Sequence, residues 1–340
     1  MQLILHPFEL ELRHPFRIAR DGYDRRQTLI IELRDGKHAG FGEAIAHSYY
    51  GMTVSAMTDA LEALRERIES HPLASTDVFY DDFLRKELPE LPFVRCALDE
   101  AAHDLTAQRR GLPLYAAWGW SITRRPLPRS NFTIGIDTID RMVEKIAEQP
   151  NPIYKIKLGT DNDLAIIEAL KKHTPALLRV DANCGWTVDE TIYNAKYLKQ
   201  MGVEFIEQPL GADAWDEMEE VFAKSQLPII ADESCRTEDD VARCHRRFHG
   251  INIKLVKCGG LTPARRMIAE ARLREMKVMV GCMTESSVGI SAIAHLLPAL
   301  DYVDMDGALL LRNDPATGVL LDHGQAIFPV ANGIGCRLKI

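Results

Sequence analysis

The chain has 340 residues, with 41 basic against 49 acidic side chains and a net charge of −8. At 46% hydrophobic and 26% charged it has ordinary globular composition, long enough for a large domain and a smaller one. No dense Lys/Arg run, apolar stretch of membrane-spanning length or CxxC pair occurs, which argues against a nucleic-acid partner, a membrane span and a disulfide or zinc framework.

The N-terminus lacks a basic region followed by an apolar run, so no signal peptide is expected. Seven scattered cysteines, an odd number, suit free thiols in a reducing, cytoplasmic setting. The first 60 or so residues read as strands, over Leu3–Leu12, Thr28–Leu33 and Ala39–Gly42, with Asp35-Gly36 as turn chemistry. Helical spacing follows over Met57–Ile68 and Val94–Arg109, with Pro92 near the start of the second and Gly111 ending it. Pro126 and Pro128 mark a boundary.

Beyond it, eight short apolar runs alternate with helical segments. The runs are Asn131–Ile134, Ile153–Ile156, Leu177–Val180, Val203–Ile206, Pro228–Ala231, Ile251–Ile253, Lys277–Val280 and Tyr302–Val303. The clearest helices between them are Leu164–Lys172, Thr187–Met201 and Ala264–Glu275. Such alternation predicts parallel βαβ units, and eight of them predict closure. The expected fold is α/β: a (β/α)7–8 TIM-type barrel over 126–319 with an α+β N-terminal capping domain over 1–125. The segment 320–340 is expected to pack back on the cap. An open sheet of six or seven strands is the alternative.

In such barrels the reacting groups stand just past the C-terminal strand ends. Strand three leads to Asp181, strand four to Glu207 and strand five to Asp232. One such acid is readily a helix N-cap. Three on successive strands would converge and repel one another unless a cation sits between them. Carboxylate-only ligation favours a hard ion, and one Mg²⁺ per subunit is expected.

Lys157 lies before the acidic strands and Lys254 after them, so their ammonium groups should face each other across the mouth. Lys155 shares the inward face with Lys157. Neighbouring cations would lower lysine pKa values, and a neutral amine at pH 7 needs a drop of about 3 from ~10.4.

The motifs Lys155-Ile-Lys157, Asp181-Ala-Asn183, Glu207-Gln-Pro209, Ala231-Asp-Glu-Ser234 and Asn252-Ile-Lys254-Leu-Val-Lys-Cys-Gly-Gly260 resemble those of the enolase superfamily, muconate-lactonizing-enzyme subgroup. The resemblance spans nearly the whole chain and takes in Phe41-Gly42-Glu43-Ala44 and the helix around Ala97–Gly111. Asp304-Met305-Asp306 is similar to the Asp-x-Asp motif of dipeptide epimerases of the L-Ala-D/L-Glu type, whose two carboxylates bind the substrate's free ammonium. An ammonium pairs well with two acceptor-only carboxylates.

The resemblance implies an isomerase in which Lys157 and Lys254 exchange the α-proton of a dipeptide's C-terminal residue through an enediolate. It places Asp304, Asp306, Lys155, Thr133 and Glu285 at the substrate, and Asn183 and Glu233 in support of the metal ligands. Lys257 is expected in a loop, with a structural or electrostatic role. In the Phe16–Arg26 region the family's specificity arginine falls near Asp21, with Arg20 adjacent, so Arg20 and Asp21 become candidates for the substrate side chain. Asp21–Arg26 and His47–Met52 read as lid loops. Cys184 and Trp118-Gly119-Trp120 depart from the usual pattern and are read as packing.

The alternatives are an N-acylamino acid racemase, a succinylbenzoate synthase, a cycloisomerase or a non-catalytic barrel. None of them needs Asp304 and Asp306. The expected partner is a small-molecule dipeptide. Barrels of this kind are often homo-oligomers, and no residue pattern here decides it.

Overall fold

The structure is a computed structural model. It describes residues 1–18 and 21–339, with backbone alone at Ile18, Asp21 and Tyr49. Three antiparallel strands open the chain: β1 (Gln2–Ile18), β2 (Asp21–Asp35) and β3 (His38–Ile45), paired in that order. Asp35 pairs with His38 around Gly36, which takes a left-handed φ of 57°, as the Asp-Gly turn requires.

Two expectations fail in this region. Asp21–Arg26 is strand, not loop, because Phe16, Arg17 and Ile18 pair with Tyr23, Gly22 and Asp21 beyond an irregularity after Glu11. Long-range pairing overrides the local turn composition there. The helix expected over Met57–Ile68 breaks at Leu64 into Val54–Ala63 and Arg65–Ser70.

The helix Pro92–Arg110 lies against the edge of β3. Gly40 and Gly42 permit the approach, since a Cβ on Gly42 would stand 2.0 Å from the Ala97 carbonyl oxygen. The helix then covers the exposed edge with its own acids. Asp104 accepts from the Phe41 N–H at 2.9 Å and Glu100 from the Glu43 N–H at 3.0 Å. An unpaired edge strand invites aggregation, and here side-chain carboxylates replace the missing strand. One residue before Glu100, Asp99 accepts the Thr262 N–H and hydroxyl and so ties this helix to the barrel.

Eight parallel strands follow in strict chain order. They are β4 (Phe132–Ile134), β5 (Ile153–Lys157), β6 (Leu177–Asp181), β7 (Val203–Glu207), β8 (Ile229–Ala231), β9 (Gly250–Ile253), β10 (Lys277–Gly281) and β11 (Tyr302–Asp304). Each lies within a residue or so of its expected run. A parallel bridge between Ser130 and Val303 joins the ends of the sheet and nearly closes the ring. The open sheet is thereby excluded.

Inward residues alternate along each strand. The lowest inward layer is an apolar plug of Phe205, Ile230 and Met279, with Tyr302 against it. Above it the interior turns polar. Buried Arg179 stacks near the rings of Phe205 and Tyr302, pairs with Glu204 at 2.8 Å and donates to Asn131 Oδ1.

After the barrel, Leu320–Asp322 and Gln325–Ile327 form a hairpin whose Gly324 carbonyl accepts the Ser130 N–H at the foot of β4. Residues 332–334 run along the helix Pro92–Arg110, where Asp104 accepts the Ile334 N–H at 2.9 Å. Among the described residues no helix is long and apolar enough to cross a membrane.

Candidate active site

The parallel register sets Lys157, Asp181 and Glu207 side by side at the C-terminal ends of β5, β6 and β7. Asp232 follows the end of β8 and Lys254 the end of β9. Asp181, Glu207 and Asp232 are fully buried and present oxygens within 4.8 Å of one another. They are not helix caps. The barrel helices start instead at residues such as Thr138, Thr187 with its capping-box partner Glu190, and Ser286.

Four ammonium groups surround these carboxylates. Lys155 Nζ stands 3.1 Å from Asp181 Oδ2, 2.9 Å from Glu207 Oε2 and 2.9 Å from Asp304 Oδ2. Lys157 Nζ lies 2.6 Å from Asp181 Oδ2 and Lys254 Nζ 2.8 Å from Asp232 Oδ2. Lys257 is not in a loop. It sits on the short helix Leu255–Cys258, one turn beyond Lys254, and donates to Asp232 Oδ1 at 2.5 Å.

Burial works against the charge of Asp181, but Lys157 and Lys155 outweigh it and hold the carboxyl below its ordinary range. Asp232 is held low in the same way by Lys254 and Lys257. Glu207 is pushed up to about 7 by burial and by Asp181. Burial disfavours the Lys254 ammonium, yet Asp232 and its neighbours raise its pKa above the usual lysine value. That is opposite to the depressed value expected from the sequence, because each lysine here faces a carboxylate rather than another cation.

The donor set suits a hard cation: three carboxylates with no thiol or imidazole among them. Two oxygens in this layer also lack good donors. Among the described residues, Glu207 Oε2 has the Lys155 ion pair but no properly directed hydrogen bond, and the buried Asn183 Oδ1 finds no hydrogen-bond donor. Backbone strain gathers at the same place. Asn183, Cys184 and Gln208 adopt left-handed φ of 44°, 65° and 35°. Each such conformation costs on the order of 1 kcal/mol, and such residues cluster at functional sites. Cys184 therefore belongs to a strained strand end, half-buried, rather than to the core.

A cavity of about 430 Å³ opens above this layer. Lys155, Lys157, Lys254, Asn183, Asp232, Glu233, Thr133, Asp304 and Asp306 reach it from the barrel. The cap adds Phe16, Tyr23, Arg26, His47 and Tyr50. Tyr23 Oη lies 2.7 Å from Thr284 Oγ1, which ties the β1–β2 hairpin to the loop after β10. The Arg26 guanidinium stacks 3.6 Å over the Tyr23 ring. Arg20 lies outside the described residues and Asp21 is described in its backbone alone, so Arg26, Tyr23 and Phe16 are the side chains of the β1–β2 hairpin that the structure places at the cavity.

The two aspartates after β11 differ. Asp304 accepts from Lys155 and from Asn131 Nδ2 at 2.7 Å, and its carboxyl is held low chiefly by Lys155 against the effect of burial. Asp306 accepts the Thr133 N–H at 2.5 Å, and the Cys282 thiol lies 3.9 Å from its other oxygen. Burial and Asp304 push Asp306 up to about 8. Asp306 is thus the carboxyl with capacity to spare for an incoming cation.

Glu285 does not line this cavity; Met283 and Thr284 do, and Glu285 turns beneath them. It accepts the Met283 N–H at 2.7 Å, its Oε2 has no hydrogen-bond partner among the described residues, and burial beside Glu43 raises its pKa to about 8. The folded state therefore holds a proton that the unfolded chain releases near pH ~4.3. Its stabilising share is complete below that pH and is lost as pH rises towards 8, at up to ~1.4 kcal/mol per pH unit for one proton. Glu285→Gln keeps the shape and removes the titration. Its stability relative to wild type should rise steadily from pH 5 to 8 in urea denaturation, and a pH-independent difference would refute this account.

Asn183 and Glu233 meet behind the carboxylates, Nδ2 to Oε1 at 3.4 Å, and the Asn183 N–H donates to Asp181 Oδ1 at 3.0 Å. Asn131, Arg179 and Asn252 join the site without having been expected there, and Lys257, expected in a loop, reaches Asp232 from a helix. The first three lie two residues before Thr133, Asp181 and Lys254, so strand alternation marks them, and Lys257 lies one helical turn past Lys254.

Residues 137–339 match the family model described as Enolase C-terminal domain-like. An L-Ala-D/L-amino acid epimerase of Maribacter sp. is 53% identical over 340 residues, covering 100% of both chains. One of Flavobacterium johnsoniae is 52% identical over 341 residues, covering 99% of this chain and 100% of that one. The dipeptide epimerase of Cytophaga hutchinsonii, solved with Mg and the dipeptide D-Ala-L-Val, superposes with a TM-score of 0.93 at 25% identity, over 100% of this chain and 96% of that one. With its barrel, its cap and this match across the catalytic domain, the chain belongs to the enolase superfamily, in the family of Enolase C-terminal domain-like proteins.

Proposed function

We propose that this protein is a dipeptide epimerase, an isomerase that inverts the α-carbon of the C-terminal residue by 1,1-proton transfer between Lys157 and Lys254. One observation carries the reading. Lys157 ends β5 and Lys254 follows β9, four places apart in an eight-strand ring, so they flank the three carboxylates from opposite sides. The names of the close relatives and the Cytophaga complex support the same chemistry.

Asp181, Glu207 and Asp232 would hold one Mg²⁺, which when bound supplies a Lewis acid for the substrate's carboxylate. Asp306, with Asp304 beside it, receives the free α-ammonium. One lysine, as the amine, takes the α-proton, and the electron pair stays with the substrate. The opposite lysine, as the ammonium, returns a proton to the other face. Asp232 is shared by Lys254 and Lys257, so any cation competing for its oxygens weakens the pull that now raises Lys254. The aromatic and sulfur-bearing rim of Phe16, Tyr23, Tyr50 and Met283 shields the reacting carbon from water.

The test is α-deuterium incorporation at the C-terminal residue of L-Ala dipeptides in D2O with Mg²⁺; no exchange with any dipeptide would overturn the reading. Asp306→Asn should raise KM for free-amine dipeptides by about 10-fold or more, the value of a charge-assisted hydrogen bond. Mg²⁺ affinity measured by calorimetry should change little. An equal loss of both would remove the ammonium role.

A further inference from the structure

A second cavity, of about 480 Å³, lies beside the first and shares three lining residues with it: Phe16, Thr133 and Leu310. All three adjoin the proposed ammonium site. Thr133 donates its N–H to Asp306. Leu310 ends the short turn Gly307–Leu310 that Asp306 opens. Phe16 is held on the β1–β2 hairpin, whose Arg17 carbonyl accepts the Ile136 N–H just beyond β4, and its ring lies over Gly135. The far cavity is basic, lined by Arg13, His14, Lys145 and Arg312, with Glu148 as the one acid among its described lining residues. Lys145 is paired with Asp137 and His14 with Glu148.

We infer that Phe16, Thr133 and Leu310 form a partition that limits the substrate's N-terminal residue to a small side chain, and that the space behind it is a latent subsite for a longer, anionic one. The inference rests on the proposed function, because it takes the ammonium to lie at Asp306. The side chain of the first residue is attached one atom from that ammonium, so it must fall against whatever walls the site. A wall of two large apolar side chains rejects a longer residue by steric contact, and pocket walls of this kind discriminate by about 10–200-fold for small differences in size. Phe16 and Leu310 are only half-buried, so trimming them opens space without emptying a core.

The experiment compares dipeptides that differ only in the first residue, L-Ala, L-Leu, L-Glu and L-Lys, by deuterium exchange and by calorimetric binding. The proteins are wild type, Phe16→Ala and Leu310→Ala, each checked for unchanged Mg²⁺ binding. Wild type should favour L-Ala over L-Leu and L-Glu by about 10-fold or more. Each variant should narrow that ratio by about 10-fold, with L-Glu gaining more than L-Lys because of Arg13 and Arg312. Wild type that binds L-Leu and L-Ala dipeptides alike, or variants with an unchanged ratio, would overturn the partition. Equal gains for L-Glu and L-Lys would overturn the anionic subsite. Absence of exchange throughout, with L-Ala dipeptides still bound, would instead overturn the catalytic reading, and the binding ratios would still decide the partition.

Discussion

Replacing Lys157 or Lys254 with alanine should abolish inversion while leaving exchange in one epimer. In a two-base reaction each lysine serves one face of the planar intermediate. With the opposite lysine gone, the remaining one can still remove a proton from its own epimer and return deuterium to the same face. Lys157→Ala and Lys254→Ala should therefore exchange opposite epimers without inverting either, and kcat for inversion should fall by about 10²–10⁴-fold or more, the usual worth of general acid–base catalysis. Neither change should unfold the protein, because both side chains end at the cavity wall. Chiral analysis of the deuterated dipeptide decides the matter. Two variants that exchange the same epimer, or one that still inverts at the wild-type rate, would rule out this division of labour.

Lys155→Met is expected to act on stability first. Lys155 is fully buried, and its ammonium is the only cation within hydrogen-bonding reach of Glu207 among the described residues. It also contacts Asp181 and Asp304. Burial disfavours that charge, but Asp304, Glu207 and Asp181 raise its pKa well above the ordinary lysine value. Removing one partner of a buried ion pair leaves the others uncompensated, at about 3–5 kcal/mol. A cation held by Asp181, Glu207 and Asp232 would restore part of that balance. The variant should accordingly unfold at lower urea concentration in EDTA and recover part of the loss in excess Mg²⁺, as binding to the native state alone requires. A variant as stable as wild type in EDTA would mean that Glu207 is held neutral there, as its raised pKa near 7 allows.

Much of this architecture was readable in the chain because local and global preferences agree. Each barrel strand is a short apolar run followed at once by its ionisable residue, so the run and the site mark each other. Ala182 and Pro209 follow the strand-end acids where the backbone must leave the sheet, and the left-handed φ of Asn183, Cys184 and Gln208 lies in the same turns. The cap was less legible. Residues 21–26 carry the composition of a loop, and only pairing with Phe16–Ile18 makes them strand. The Met57–Ile68 pattern has helical spacing throughout, and its break at Leu64 is invisible in periodicity.

By itself the sequence determined the order of strands, the inward face of each, and hence which ionisable groups share the barrel mouth. These follow from periodicity and from parallel connection, which are properties of the chain taken one segment at a time. Only the tertiary structure decided what those groups do to one another. It raises Lys254 instead of depressing it, because Asp232 stands 2.8 Å away. It commits Asp304 to Lys155 and leaves Asp306 with capacity for a ligand. It turns Glu285 beneath the cavity and brings Lys257 onto Asp232. Distances between side chains from different strands set these charges, and such distances exist only once the ring has closed.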